Sequence, residues 1–294
     1  MTIVEFLQQL INGLSLGSVY ALIALGYTMV YGIIGLINFA HCDIYMVGAY
    51  IGFFVSTDLH LPFIPTLIVA MLGSAIAGVL VERIAYKPLR KSSSISLLIT
   101  AMGVSLLLEN GFNAVFGGSP RSYPHNILTQ HSLSIGPVRT DSLHMIILLT
   151  SVVLMILLQL IIYKTKIGKA MRATSADKDA AELMGINVNA TISATFAIGS
   201  ALAGAAGVLV GILYNIIDPY MGIQPGIKAF TAAVFGGIGL IPGAFLGGLI
   251  LGVIETFVTA WYSPLSGAIG FIILIVILII KPSGLLGKKV SEKV

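Results

Sequence analysis

Three carboxyl side chains, Asp43, Glu109 and Glu255, stand in stretches of sequence that are otherwise apolar, with His41 beside the first of them. In hydrocarbon a carboxylate costs about 2.5–3.5 kcal/mol at a helix centre on insertion scales, so one retained there faces a protein-lined cavity or an internal partner. Such groups can line or gate a translocation pathway, relay protons, or pair structurally, as Glu109 would with the amides of Asn110 and Asn113. A proton relay needs more intramembrane carboxylates and a buried Lys or Arg, and Lys228 reads as lying at an external end. The pathway reading is therefore preferred over structural pairing. Its candidates are Asn38, His41, Asp43, Glu109, Gly236, Gly237, Pro242 and Glu255. The Gly and Pro members enter because Gly236, Gly237, Gly239, Pro242 and Gly243 crowd together, and breaks of this kind in membrane helices can line a pathway.

No enzyme constellation accompanies these residues. Gly168-Lys169 and Gly287-Lys288 both lack the upstream glycine and the following hydroxyl of a phosphate-cradling loop, so no ATP site is expected on this chain. Neither a His-Glu-x-x-His nor a Gly-x-Ser-x-Gly pattern occurs, and no catalytic residue is assigned. His125, His131 and His144 fall in or at the edge of a polar loop and read as solvated side chains rather than ligands. A single cysteine, Cys42, excludes an internal disulfide framework and a Cys-based metal site. No metal or cofactor is expected to bind.

The elements that must position the acids are membrane spans. The stretches 6–42, 59–81, 142–163, 183–217, 229–254 and 256–280 contain no Asp, Glu, Lys or Arg. A hydrocarbon core of about 30 Å takes roughly 20 helical residues, and each of these stretches is that long. The chain is 57% hydrophobic and 10% charged, against roughly 25% charged for a globular domain. Its net charge of +4 is not a nucleic-acid signal, because the basic residues flank apolar spans and are not interleaved with stacking aromatics. The opening segment lacks the basic region and small-residue cleavage site of a secretory signal, so the first apolar stretch is expected to remain as a span.

Thirteen of the 16 basic residues fall in three clusters: Arg83, Lys87, Arg90 and Lys91; Lys164, Lys166, Lys169, Arg172 and Lys178; and Lys281, Lys288, Lys289 and Lys293. The positive-inside rule puts all three in the cytoplasm and the polar loop 117–141 outside. Counting from these anchors gives spans near 10–34, 37–57, 61–81, 95–116, 142–163, 190–215, 226–239, 244–262 and 265–280, with the N-terminus outside. The expected fold is an all-α polytopic membrane protein of 8–9 transmembrane elements, the short 226–239 element being a broken or re-entrant helix. Many of the 33 glycines recur at four-residue spacing, as at Gly13 and Gly17, Gly48 and Gly52, Gly207 and Gly211, and Gly248 and Gly252. Lipid gives helices no hydrophobic reason to associate, so small residues that permit close backbone approach supply the packing.

The second basic cluster sits in a loop too long for a simple connector. Residues 163–189 carry Ala-rich, helix-favouring sequence with both charge signs and a glycine near the end, and read as a short amphipathic helix at the cytoplasmic surface. Within it, Asp179-Ala180-Ala181, three residues and then Gly185 are similar to the Glu-Ala-Ala-x-x-x-Gly loop by which permeases of ATP-binding-cassette importers dock into their ATPases. The stretches 26–50 (GYTMVYGIIGLINFAHCDIYMVGAY) and 233–255 (AVFGGIGLIPGAFLGGLILGVIE) closely resemble LivH-type permeases of high-affinity branched-chain amino acid importers. The resemblance runs through essentially the whole chain. It departs at one place, where the family usually has glycine after Asn-Phe-Ala-His and this chain has Cys42, which implies relaxed local geometry or mild strain.

The resemblance implies one permease domain over residues 1–294, with a coupling loop at 164–189 and an external loop at 117–141. It implies a second homologous permease, two cytoplasmic ATPases carrying ATP and Mg, and an extracytoplasmic binding protein that delivers leucine, isoleucine or valine. Residues expected to couple to the ATPases are Gly168, Arg172, Asp177, Asp179, Ala180, Ala181 and Gly185, with Ala180 and Ala181 small enough to let the helix sit in a partner groove. The expected location is the plasma membrane of a bacterium. The competing readings are a urea or short-amide permease of the same class, a self-sufficient ion-coupled carrier, and an intramembrane enzyme, for which the catalytic pair is missing.

Overall fold

With no water in a bilayer core, every backbone N–H and C=O must be satisfied within its own segment, and apolar sequence of this length resolves into helices. The computed structural model describes residues 2–35, 38–90, 92–124, 127–128, 132–135 and 138–287. Lys91, His125, His131, Lys288, Lys289 and Lys293 lie outside the described residues. In chain order the helices are α1 (Ile3–Ile34), α2 (His41–Asp58), α3 (Phe63–Val81), α4 (Ser94–Phe116), α5 (Ser142–Lys164), α6 (Lys166–Ala176), α7 (Lys178–Leu183), α8 (Val188–Tyr214), α9 (Ile223–Gly236), α10 (Ile241–Trp261) and α11 (Ile269–Ile280). All but α6 and α7 correspond to the spans read from charge, and the short element is the helix α9. The described residues also include short π- and 3-10-helical segments at Glu82–Tyr86, Lys87–Leu89 and Ser263–Leu265 and four short strands: β1 (Arg121–Ser122), β2 (Ser132–Ile135), β3 (Val138–Asp141) and β4 (Ile216–Ile217). β2 and β3 form an antiparallel hairpin, and β1 pairs antiparallel with β4.

The helices run alternately between two ends of the bundle. One end gathers the start of α1, the turns 58–63 and 117–124, residues 215–217 and the end of α10. There Phe6 stacks on Phe257 with ring centroids 5.1 Å apart, and β1 ties to β4. The opposite end gathers the end of α1, residues 82–90, α6, α7, the α9–α10 turn and residues 281–287. There Lys178 Nζ donates to the carbonyl of Ile34 (3.4 Å), Arg90 reaches Asn189, and the Leu285 amide donates to Phe235 (2.8 Å). Every Lys and Arg of the three clusters that falls among the described residues is at this second end, which the positive-inside rule makes cytoplasmic.

The sequence of α1 explains why it becomes the axis. Thr2 caps it, its side chain accepting from the Glu5 amide (3.3 Å) while Glu5 accepts from the Thr2 amide (2.9 Å). At 32 residues α1 is about 48 Å long, and α10, α8, α9 and α5 all pack against it. The contacts are backbone to backbone. A Cβ added at Gly17 would lie 2.7 Å from the Leu249 carbonyl oxygen and 2.8 Å from that of Gly248. Gly48 meets Gly204 and Gly207 meets Tyr45 in the same way, locking α2 to α8. The outer faces of α3, α4, α5 and α11 are apolar and exposed, as at Leu72, Leu107, Leu149 and Ile279.

These contacts make a direct prediction. Gly17→Leu forces α1 away from α10 and lowers the melting temperature of the detergent-extracted protein, an overpacking cost of about 1–3 kcal/mol or more. Gly103→Ala, at a position with open space around it, leaves stability unchanged or slightly raised. Equal melting of Gly17→Leu and the parent would show that close approach at Gly17 does not hold the two helices together.

Candidate translocation and coupling site

Helix α2 does not start where α1 stops. Its first ring, His41, packs edge-on against Tyr27 with centroids 4.9 Å apart, and it occupies the space beside Gly26. Tyr27 lies about 12 Å back along α1 from Gly35, at 1.5 Å per residue. The chain after α1 therefore folds back into the bundle before α2 begins. Asn38, on this returning segment, is 2% exposed and accepts a hydrogen bond from the Tyr86 hydroxyl at 2.6 Å. The N-terminus of α2 thus opens inside the bundle, without a side-chain cap.

Unpaired N–H groups at a helix start carry a partial positive charge, which favours an acid in the first turn. Asp43 supplies that acid, almost fully buried, and faces Ser105 and Glu109 of α4. Glu109 consequently does not pair with its sequence neighbours. Asn110 donates to the Leu106 carbonyl (2.8 Å) and Asn113 to the Tyr220 hydroxyl (3.0 Å). Cys42 sits 2.6 Å from the Tyr27 hydroxyl and against Gly222 and Gly226 at the start of α9. Its backbone is helical and its φ is not positive, so cysteine takes the place of the family glycine without backbone strain.

Lys228 corrects a second expectation. It does not stand apart at an external end: its Nζ lies 2.6 Å from Glu255 Oε1, joining α9 to α10, with the two side chains 14% and 8% exposed. A further pair was not visible in the sequence. Glu82, fully buried, is bound by Arg90 and by the Ser193 hydroxyl at 2.6 Å, which ties the end of α3 to α8. Its only signal was its place as the first charge after a long apolar run. At the basic end Gly236 closes α9, Gly237 opens the turn with φ 109°, and Pro242 lies in the first turn of α10, with Gly236 packed on Gly243. No cluster of three or more His, Cys, Asp or Glu suited to a metal occurs among the described residues.

The loop 163–189 contains two helices rather than one. Thr165 caps α6 by accepting from the Gly168 amide (3.1 Å), and Gly168 is glycine because it turns against the Ile161 and Ile162 backbone. Arg172 lies over the Tyr163 ring at 5.2 Å, and Asp177 caps α7 by accepting from Asp179 (2.9 Å) and Ala180 (3.0 Å). Gly185 ends α7 at φ 80°, its amide donating to Glu182 (2.9 Å) while that of Ile186 donates to Ala181 (3.0 Å), a reversal that glycine adopts cheaply. Ala181 faces its own chain, 4% exposed, and so is not part of an outward face with Ala180. The outward tip instead presents Leu183 and Met184, 89% and 83% exposed, which went unnoticed because two apolar residues are unremarkable in so apolar a sequence.

Comparison with known proteins gives a consistent result. A family model described as the permease component of branched-chain amino acid transport systems matches residues 9–279. The high-affinity branched-chain amino acid permease LivH of Escherichia coli is 43% identical over 302 residues, covering 98% of each chain. The permease BraD of Pseudomonas aeruginosa is 43% identical over 305 residues and 99% of each chain. Among solved structures, the PsaBC complex of Streptococcus pneumoniae bound to a Fab contains a chain of similar fold, with a TM-score of 0.50, 16% identity, and coverage of 96% of this chain and 97% of that one.

The Glu82–Arg90 pair yields a stability prediction. Arg90→Ala leaves a buried carboxylate unpaired and costs about 3–5 kcal/mol, whereas Glu82→Gln with Arg90→Met removes both charges and recovers most of that loss. Chemical denaturation of the purified variants reads this directly, and equal stability of the single and double variants would contradict it.

Proposed function

The chain belongs to the branched-chain amino acid transport permease family, and on that premise we propose that it is the membrane-spanning subunit of an ATP-driven importer of leucine, isoleucine and valine. It is a multi-pass membrane protein of a family that works with ATPase and binding-protein partners. Its proposed setting is a bacterial plasma membrane, within an assembly of this permease, a second homologous permease, two ATPases that bind ATP and Mg, and an extracytoplasmic binding protein. We take residues 1–294 as one permease domain that itself hydrolyses nothing. The names of the relatives favour amino acids over urea as cargo and a partnered importer over a self-sufficient carrier.

The observation that carries the reading is the tip of α7. Leu183 and Met184 are large apolar side chains standing almost fully in water at the basic end of a membrane protein. An ATPase groove covers them. Motion of α7 reaches the bundle by a short path: Lys178 holds the last carbonyl of α1, Met171 and Thr174 are buried on the inner face of α6, and Gly168 fixes α6 to the end of α5. From α1 the motion passes to His41, against Tyr27, and so to the acids Asp43 and Glu109 at the break before α2, which we assign to the pathway together with Asn38. Gly236, Gly237 and Pro242 frame the turn that lets α9 and α10 move together.

Leu183→Glu and Gly185→Arg test this coupling, because neither position contacts the rest of the bundle closely. Both variants should insert normally, lose leucine uptake, and retain less ATPase on affinity purification. Ala181→Asp, by contrast, buries a charge within α7's own packing and lowers accumulation as well. Normal uptake with full ATPase retention in both Leu183→Glu and Gly185→Arg would remove the loop as the docking element and favour a self-sufficient carrier.

A further inference from the structure

The Lys228–Glu255 pair is costly as a structural device. Taking two charges out of water costs more than their attraction commonly returns, and well-packed apolar residues of similar volume would join α9 to α10 as firmly. Ionisable groups kept at membrane depth usually act on something that passes. This pair borders a half-open cavity of about 200 Å³ between α1, α8, α9 and α10, walled by Leu16, Tyr20, Val210 and Tyr214.

Both partners have capacity left over. Glu255 Oε2 is buried and lacks a well-formed hydrogen bond, with the Tyr20 hydroxyl as a close polar neighbour. Lys228 has three donors and, among the described residues, spends them on Glu255 alone, with the Tyr20 ring 5.8 Å from its Nζ. The site therefore presents one positive and one negative group side by side, each with an unused valence, next to apolar walls. An α-amino acid has the matching form: an ammonium and a carboxylate joined through one carbon, with the side chain projecting away from both.

We infer that Lys228 and Glu255 bind the zwitterionic head of the transported amino acid, its carboxylate on Lys228 and its ammonium on Glu255, with the branched side chain against Leu16 and Val210. The inference rests on reading the chain as an amino acid permease. A zwitterion and an ion pair are each neutral overall, so binding carries no net charge into the bilayer, and the four charges alternate in sign around the complex. When the cargo leaves, Lys228 and Glu255 close on each other again, and neither is left unpaired. Urea, which carries no charge, gains nothing from this arrangement.

The test uses the intact importer purified through this chain and held in lipid nanodiscs without its binding protein. Labelled leucine should be retained saturably. Unlabelled isoleucine and valine should displace it, whereas 4-methylpentanoate, 3-methylbutylamine and urea should not. Lys228→Met and Glu255→Gln should each weaken retention at least about tenfold, roughly 1.4 kcal/mol, in complexes that remain intact on size exclusion. Should those variants fail to assemble, Leu16→Phe keeps both charges, narrows the cavity and should weaken retention likewise. Undiminished retention in Leu16→Phe and in whichever pair variants assemble would overturn the inference, as would displacement by the single-charge analogues as effective as that by isoleucine. Absence of retention in the parent complex, with leucine uptake by cells still dependent on the chain, would discard this site and leave the proposed function standing.

Discussion

Helices in lipid gain nothing by hiding apolar surface from one another, so this bundle depends on how closely its backbones can approach α1. Gly13 and Gly17 bring α10 against it, Gly26 admits both Gly199 and the His41 ring, and Gly32 faces Gly239 at the basic end. The glycines are spread along the whole length of α1, so it acts as an axis and not a single point of contact. The break before α2 depends on the same feature: without the space beside Gly26 there is no place for His41, and α2 could not begin inside the bundle.

The buried charges are arranged around that axis in a consistent way. Glu82 is held by Arg90 and Ser193, Glu255 by Lys228, and Asp43 meets Glu109 at the buried start of α2. The links run from α3 to α8, α9 to α10 and α2 to α4; glycines also bring the first two pairs together, at Gly78 and Gly204 and at Gly236 and Gly247, whereas the Asp43–Glu109 link has no such packing beside it among the described residues. Packing through small residues makes a rigid centre, while links through single polar pairs can be exchanged for other partners. In a transporter the first suits the scaffold, and the Asp43–Glu109 link, which stands without glycine packing, suits a part that opens and closes, because a charged side chain in hydrocarbon must hand itself from one partner to the next.

Much of this was legible in the residues. The segregation of charge gave the spans and their alternation, since lipid tolerates no other distribution, and the breakers from Gly236 to Gly243 marked a real interruption. The depth at which α2 begins was hidden, because nothing in the composition of residues 35–40 distinguishes a returning segment from a turn at the surface. The Lys228–Glu255 pair was hidden for another reason. Its members lie 27 positions apart on different helices, and only the 14-residue length of α9 brings them level. The orientation of Ala181 likewise depends on the cap at Asp177, which fixes the rotation of α7 and sends Leu183 and Met184 outward.

The family, the basic end with its exposed apolar tip, and the interior acids together describe a machine that takes energy at one end and moves a small amphipathic cargo through the other. High-affinity uptake of labelled leucine, measured beside labelled urea in cells from which this chain has been deleted, tests that description most directly. Leucine uptake should fall to background and return when the chain is supplied from a plasmid, with urea uptake unchanged throughout. Loss of urea uptake with leucine uptake intact would contradict it.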